Sequence, residues 1–453
     1  MADRFRPINR DTPHLFPPTV QDYLPDDHLA RFVVDIVDQL DLSALTMSYG
    51  GRGGSVAWHP ALWVSLLFYG YATGTFSSRK LEAATYDSVA VRTICANQHP
   101  DHDSISAFRQ RFLSELEAVF VQILVIAHEM GTLKLGTVSL DATQIKANAR
   151  KHKALSWRYA NALEAQLRAE VEELMRLAEA ADNTPLPDTL DIPAEIQRRP
   201  DRLAAVAAAK DTIQARANER DAQAQAEYEA KLERRAEKAR QSGRKPGGKP
   251  PSPPTLGPRD KDQVNLTDEE SRIMPTSGGG FEQSYNAQAS VDTDSGLIVS
   301  GHVTQQSNDQ QQVEPTLAQM ADQAETIGFP IALLADAGYY SAANIEAVAA
   351  NDIVPFISDA RERHNQPLLK RIEEPPVQTD FDGPVDEMRH RMRTRAGKII
   401  YAKRKCTIEP TFGIIKHVLG FRQFLLRGLN AVKGEWNLVC IAFNLKKLHN
   451  LAG

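Results

Sequence analysis

Residues 148–258, which are mostly helical in pattern, lie between one short strand pattern and all the later strand patterns. The early strand pattern runs from Thr137 to Ile145 and carries Asp141 at its centre. Beyond residue 258, strand patterns and helical patterns alternate, which is typical of an α/β domain. If all the strands share one sheet, the intervening stretch is an insertion into that sheet. The sequence therefore predicts a mixed sheet flanked by helices and interrupted by a helical insert.

The insert reads as two long helices followed by a linker. Apolar residues at steps of three and four, from Leu163 to Leu177, predict an amphipathic helix. A Pro-rich turn at 183–193 precedes a second helix, predicted from Ala194 to about Arg240. The end of this helix is basic, and the Pro/Gly/Ser-rich linker at 243–258 is predicted to be flexible. The basic end is either a solvated tail or a contact for a polyanion, and we favour the second interpretation.

The N-terminal part, residues 1–135, reads as an arm followed by several short helices. Apolar residues from Leu62 to Tyr71 recur at helical spacing after Pro60, a favourable first-turn residue. The helices fit either a helix-turn-helix cluster or a generic helical bundle. His99 and His102 have neither a CxxC pair nor a second histidine pair near them in the sequence. We therefore interpret them as packing or capping residues and not as zinc ligands.

The α/β part supplies a second aspartate. Residues 285–291 alternate between apolar and polar types, which predicts a half-buried strand, and 330–335 is a continuous apolar run typical of a strand buried on both faces. Asp336 directly follows that run, where open α/β sheets place ligands. Asp309 is read as a loop residue. Asp336 could equally be a plain helix cap, and Asp141 an edge-strand polar residue.

Glu409 is the only acidic residue between Arg389 and Lys433, a stretch rich in Arg and Lys. Such a basic stretch favours a polyanion, and a lone carboxylate inside it would repel that polyanion unless it held a cation. Thr407 is the predicted N-cap of the last helix, with Glu409 and Pro410 in its first turn, where proline is tolerated. Lys416 follows after about two turns and is predicted to project from the same face. Alternatively, Glu409 only complements the helix dipole.

Three converging carboxylates repel one another, and divalent cations remove that cost. Mg²⁺ prefers oxygen ligands, waters and phosphate oxygens, which suits Asp141, Asp336 and Glu409. We therefore predict a metal site of these residues that holds two Mg²⁺ ions, for which Mn²⁺ can substitute.

Several sequence blocks resemble one family. They are HPALWVSLLFYGYATGTFSSRKLE, SLDATQIKANA, LLADAGYYS and IEPTFGIIKHVLGFRQFLLRGL. In this order they are similar to the bacterial insertion-sequence transposases of the DDE class, which have an RNase H-like catalytic fold. The resemblance implies that Asp141, Asp336 and Glu409 form the catalytic, metal-binding triad. It also relates Tyr401, Arg404, Glu409 and Lys416 to the family's Tyr-Arg-Glu-Lys signature, with either Arg404 or Lys405 in the arginine role.

The resemblance implies a DNA transposase that binds terminal inverted repeats, cuts strands with two metal ions and joins them to target DNA as a homodimer. The alternatives are an RNase H-like DNA nuclease without joining and a catalytically silent DNA-binding protein. The expected domains are a helical DNA-binding domain at 1–135, the catalytic domain at 136–147 and 259–453, and the inserted helical hairpin with its linker at 148–258. The expected DNA contacts are Arg79, Arg234, Arg235, Lys238, Tyr401, Arg404, Lys405, Lys416, Arg422 and Arg427.

Composition points to the compartment. The formal net charge is −5, but local basic patches decide nucleic-acid binding more than the total does. Three isolated cysteines fit a reducing compartment, and no apolar run is long enough to span a bilayer. We expect a cytoplasmic bacterial protein associated with the nucleoid and not with a membrane.

Overall fold

The computed structural model describes residues 19–47, 57–112, 115–180, 192–244, 247–276, 279–359 and 374–452. The predicted N-terminal arm and most of the predicted Pro-rich turn lie outside these ranges. The chain divides into two compact units, Met1–Lys146 with Ser284–Gly453, and Ala147–Gln283. The second unit contains the whole predicted insert and also residues 259–283, and the first contains the N-terminal helices together with the sheet.

The described strands are β1 (Thr137–Lys146), β2 (Ala154–Ser156), β3 (Gln263–Asn265), β4 (Arg272–Pro275), β5 (Phe281–Asp292), β6 (Ile298–Thr304), β7 (Ala332–Ala335) and β8 (Val354–Ile357). The described α-helices are α1 (Leu29–Val37), α2 (Ser43–Met47), α3 (Pro60–Ala72), α4 (Ser78–Asp87), α5 (Val89–Ile94), α6 (His102–Arg111), α7 (Leu116–Glu129), α8 (Trp157–Ala180), α9 (Ile192–Ser242), α10 (Val313–Ile327), α11 (Ala342–Ala350), α12 (Pro384–Arg393), α13 (Arg395–Gly413) and α14 (Leu429–Ala452). Among the described helices, none combines the length and the apolar character needed to cross a bilayer.

The sheet of the first unit has the order β6-β5-β1-β7-β8. β5 runs antiparallel to β1 and to β6, whereas β1, β7 and β8 are parallel to one another. Three antiparallel strands followed by two parallel ones are the arrangement of the RNase H-like fold, which confirms the predicted fold class. The strands on both sides of the insert are direct neighbours, because Lys146 at the end of β1 pairs with Ser284 on β5.

β5 differs from the prediction of a half-buried strand. Its polar residues Asn286, Gln288, Ser290 and Asp292 are as buried as the apolar residues between them. The alternation predicts the strand correctly, but its polar face is buried as well, and the amide nitrogens of Asn286 and Gln288 donate to Asp309 outside the strand. Asp292 Oδ2 accepts bonds from Ser295 N at 2.8 Å and from Ser295 Oγ at 2.6 Å in the β5–β6 turn.

The predicted start of the helix that carries Glu409, with Thr407 as its N-cap, is wrong. α13 begins at Arg395, and its N-cap is Thr394, whose side chain accepts a bond from Gly397 N at 3.0 Å. Pro410, read as a first-turn proline, lies inside α13, one turn before that helix passes into a π-turn at Ile414–Val418. Proline removes one helical N–H donor, so an irregular turn beside it is expected. Glu409 therefore lies near the end of a long helix and not at the start of one.

In the N-terminal helices, the two histidines have packing partners. His99 Nδ1 lies 3.1 Å from Thr85 Oγ1, and His102 Nδ1 lies 2.7 Å from Glu82 Oε2. Both partners lie on α4. His99 therefore joins the segment before α6 to α4, and His102 joins the first turn of α6 to α4. This agrees with the interpretation of the pair as structural.

A buried polar cluster joins these helices to α14. Glu435 is 0% exposed, and its Oε1 accepts a bond from Tyr71 Oη at 2.9 Å. Its Oε2 accepts bonds from the backbone N–H groups of Leu425 at 2.9 Å and Leu426 at 3.1 Å. Arg109 donates to Tyr71 Oη at 3.3 Å. One carboxylate thus connects α3 and α6 to the segment between the π-turn and α14.

The second unit has a small core of its own. Leu155, Leu163, Leu167, Val206 and Ile213 pack between α8 and α9, which confirms the predicted helix pair. The predicted flexible linker is bound along α9, where Arg235 Nη2 donates to Gly248 O and Arg220 Nη2 to Gly257 O, both at 2.8 Å. These two arginines on α9 satisfy backbone carbonyls that a free linker would expose to water. The flexibility of the linker stays a prediction.

Candidate active site

The two aspartates predicted from the strand patterns lie level with each other on neighbouring strands. β1 and β7 are parallel, with Ser139 opposite Leu334, so Asp141 and Asp336 occupy the next equivalent positions on the same side. Asp336 directly follows β7 and begins a 3₁₀ turn, where its Oδ1 accepts a bond from Gly338 N at 2.8 Å. The Asp141 side chain emerges from the middle of β1 and is 18% exposed.

Arg404 on α13 contacts all three predicted carboxylates. Its Nη2 lies 2.6 Å from Asp141 Oδ2 and 3.6 Å from Asp336 Oδ2, and its Nη1 lies 3.8 Å from Glu409 Oε1. The Arg404 side chain is only 12% exposed, whereas those of Asp336 and Glu409 are 42% and 56% exposed. Residues from three distant parts of the chain thus converge on one guanidinium group.

The charges of this cluster affect one another. Burial raises the pKa of Asp141 to about 6, against the opposing effects of Arg404 and of the Ala142 N–H, while Asp336 adds to the rise. Burial alone would lower the pKa of Arg404, but the neighbouring carboxylates outweigh it and raise that pKa above its ordinary value. Arg404 therefore remains a cation and compensates part of the negative charge around it.

The donor set fits a hard divalent cation. Three carboxylates supply oxygen ligands, which Mg²⁺ and Mn²⁺ accept readily. In the described part of the chain, no three His, Cys, Asp or Glu side chains are grouped closely enough to hold a metal ion as they stand. In this arrangement the carboxylates surround the guanidinium of Arg404, which takes the place of a cation among them.

Two family models match the chain. Residues 255–445 match the transposase DDE domain, and residues 18–111 match a transposase domain, DUF772. The chain belongs to the insertion-sequence transposases of the DDE class. No curated protein and no solved structure matches it. Transposases of this class act on DNA and generally use divalent metals.

The second signature cation of this transposase, Lys416, lies in the π-turn after α13. Its Nζ donates to the backbone carbonyl of Gln144 on β1 at 2.8 Å, and burial lowers its pKa. A π-turn begins between Glu409 and Lys416, so the regular helical spacing from which a common face was predicted does not hold between them. Lys416 lies beside the strand that carries Asp141 and within hydrogen-bonding distance of its backbone.

The structure favours one of the two candidates for the signature arginine. Arg404 lies among the carboxylates, whereas Lys405 is exposed. Tyr401 lies one turn earlier on α13 and packs against a cluster that includes Leu334 and Phe356. This packing holds α13 against β7 and β8, which brings Arg404 close to the strand ends.

The remaining predicted DNA contacts of the transposase are dispersed. Arg422 lies after the π-turn, where its Nε donates to Lys416 O at 2.9 Å, and Arg427 is exposed in the same segment. Arg79 is exposed on α4. In the second unit, Arg234 and Lys238 are exposed on α9, and Arg235 binds the carbonyls of Gly247 and Gly248.

Sequence reasoning missed three polar residues behind the aspartates. Asp309, read as a plain loop residue, accepts bonds at its Oδ1 from Asn286 at 2.7 Å and from Gln288 at 2.8 Å. Its charge also adds to the rise in the pKa of Asp141. The available signal was the pair of amide side chains at alternate positions of β5, because buried amides need partners.

Proposed function

We propose that this transposase binds the terminal inverted repeats of its element, cleaves the strands there and joins the new 3′-ends to target DNA. The observation that supports the proposal best is the convergence of Asp141, Asp336 and Glu409 on Arg404. Their convergence at the end of parallel strands is what a site for phosphodiester chemistry requires.

Asp141, Asp336 and Glu409 would hold the metal ions, two per site, with Mn²⁺ able to replace Mg²⁺. When bound, such ions activate an attacking hydroxyl and stabilise the leaving oxygen of an in-line displacement. The residues of the chain orient the ligands, since α13 and the end of β7 place carboxylates on two sides of the cluster. Lys416 and Arg404 carry positive charge beside it and would bind the phosphates of the reacting strand.

The other cations would bind the DNA backbone farther from the reacting phosphate. We propose phosphate contacts for Lys405, Arg422 and Arg427 next to α13, and a stacking or hydroxyl contact for Tyr401. Arg79 would contact DNA from the N-terminal helices, which we propose to be the end-binding domain at 1–135. Arg234, Arg235 and Lys238 on the inserted hairpin would add backbone contacts that depend on salt concentration and not on base sequence.

Pairing two ends requires two copies of the chain or two DNA sites on one copy. We propose a homodimer on paired ends, because each copy contributes one cluster of carboxylates and each end needs one. The protein would act in the bacterial cytoplasm on the nucleoid, where both the element and its targets lie.

Incubation with a duplex that carries the element end, in Mg²⁺, tests the reaction. We expect strand cleavage at the repeat and, with target DNA added, joined products on a denaturing gel, both abolished by a chelator. Cleavage without joined products would support the nuclease alternative instead. End-specific binding without metal and without cleavage would support the catalytically silent DNA-binding protein.

Arg404→Gln is expected to tighten Mn²⁺ binding to the DNA-free protein about tenfold. The substitution removes a cation that competes for the same three carboxylates but retains a planar polar side chain. Calorimetric titration or electron paramagnetic resonance of free Mn²⁺ measures the affinity. Lys403→Gln is the matched control, because Lys403 lies on the same helix but contacts Asp294 at 3.1 Å. Unchanged or weaker binding by the Arg404 variant would show that this arginine does not compete with metal.

A further inference from the structure

The loop between β6 and α10 lies against the turn that carries Asp336. Gln310 Nε2 donates to Tyr340 O at 3.3 Å, at the end of that turn. Asn344 on α11 donates from Nδ2 to both Gln310 O and Tyr339 O, each at 2.7 Å. The loop and the turn are therefore bound to each other through backbone carbonyls, at the site of the proposed chemistry.

Asp309 in this loop accepts two side-chain bonds on one oxygen. Asn286 Nδ2 lies 2.7 Å and Gln288 Nε2 lies 2.8 Å from Asp309 Oδ1. Both amides come from β5 and are almost completely buried. Buried amide donors without an acceptor would cost free energy, so this oxygen fixes the orientation of both side chains.

The bonds continue from Gln288 to the Asp336 turn. With its amide nitrogen bound to Asp309, Gln288 presents Oε1 to the Tyr339 hydroxyl at 2.5 Å. Tyr339 is fully buried inside the 3₁₀ turn that Asp336 begins. Burial raises the pKa of Tyr339 well above its ordinary value, so its hydroxyl stays protonated and donates. Asp309, Gln288 and Tyr339 thus form an unbroken chain of bonds from the loop to the turn.

The second oxygen of Asp309 faces the same turn. A Cβ atom at Gly338 would lie 3.0 Å from Asp336 Oδ1 and 3.6 Å from Asp309 Oδ2. The absence of a side chain at Gly338 lets the two carboxylates approach one common position. Asp309 is therefore close to the cluster of carboxylates, and its Oδ1 binds the two β5 amides.

We propose that Asp309 is a positioning residue, which holds Asp336 level with Asp141 through Gln288 and Tyr339. The inference rests on the proposed function, since it concerns how one of the proposed metal ligands is oriented. It predicts that the acceptor oxygen of Asp309 matters more for metal binding than its charge does. Asparagine at position 309 retains an oxygen that can accept both amide bonds, whereas alanine retains none.

Mn²⁺ titration of the full-length, DNA-free protein tests the proposal. We expect Asp309→Ala to weaken Mn²⁺ binding about tenfold and Asp309→Asn by less than about threefold. Tyr339→Phe removes a single buried oxygen and should weaken binding in the same direction, even if Asp309→Ala fails to fold. The double variant Asp309→Ala/Tyr339→Phe should bind about as weakly as Asp309→Ala alone, because both act through one chain of bonds. Asp322→Ala, an exposed acid on α10, is the control.

The outcomes separate the positioning role from the proposed function. If Asp309→Asn binds Mn²⁺ as weakly as Asp309→Ala, the charge matters and the positioning role is wrong. Unchanged binding in both Asp309→Ala and Tyr339→Phe would overturn it as well. Asp336→Asn in the otherwise native chain reports on the proposed metal site itself. If Asp336→Asn leaves Mn²⁺ binding unchanged, the metal site is wrongly assigned, whatever the Asp309 variants do.

Discussion

Asp336→Asn and Glu409→Gln are each expected to slow strand cleavage at the element ends by roughly a thousandfold or more, about 4 kcal/mol of transition-state stabilisation. Each substitution retains the shape of the side chain and removes the negative charge that a metal ligand needs. Both residues are partly exposed and contact Arg404 alone among the described ion pairs, so the fold should tolerate the change. Single-turnover cleavage of an end-containing duplex in Mg²⁺ measures the rate.

Two controls show whether a loss of cleavage is specific to the proposed metal ligands. Asp294→Asn removes an exposed carboxylate paired with Lys403 on the same helix as Arg404, and it should cleave at the native rate. Gel-shift affinity of the Asp336 and Glu409 variants for the end duplex should stay within about threefold of native, because phosphate contacts dominate affinity. If either variant cleaves as fast as the native protein, the assignment of the triad is wrong.

Glu435→Ala is expected to lower the free energy of unfolding by about 3–5 kcal/mol. The substitution leaves the Tyr71 hydroxyl and the N–H groups of Leu425 and Leu426 without their buried acceptor. It also leaves Arg109 in the interior without a nearby compensating charge. Urea denaturation followed by circular dichroism measures the loss.

Glu435→Gln serves as the matched variant, because its amide retains one acceptor oxygen and loses the charge. Burial raises the pKa of Glu435 above its ordinary value of 4.5 in the folded protein. A raised folded pKa contributes stability that is complete below the unfolded pKa and is lost as pH rises through the folded one. The difference in unfolding free energy should therefore shift in favour of the Gln variant as pH rises above the ordinary carboxyl pKa of 4.5. A difference independent of pH would show that Glu435 titrates alike in both states.

The two aspartates of the site could be predicted from the strand patterns in the sequence. A continuous apolar run followed by an aspartate locates Asp336, and the early strand pattern locates Asp141, because both depend on local periodicity. The pairing of β1 with β5 and β7 across the insert needs contacts between residues far apart in the chain, which periodicity does not report. The insert therefore prevents prediction of the strand order from sequence. It does not affect prediction of the two aspartates, which depends on local patterns.

Helix boundaries near proline and the choice among equivalent cations could not be predicted. Proline occurs in the first turn of a helix and also inside an irregular one. Pro410 therefore led to a wrong prediction for the start of α13. The resemblance narrows the arginine role to Arg404 or Lys405, and only the packing of α13 against the strands favours Arg404. Asp309 gave no local signal at all, because its partners on β5 are more than 20 residues away.

The first unit ends its first segment at Lys146 on β1 and resumes at Ser284 on β5. These two residues face each other on adjacent antiparallel strands. Opposed residues in such a pair are about 5 Å apart, a gap that a tight two-residue turn also closes. Segments of very different length can thus be exchanged at this junction without altering the register that presents Asp141. Relatives with a short turn here, or with an unrelated domain, would retain the same arrangement of acids.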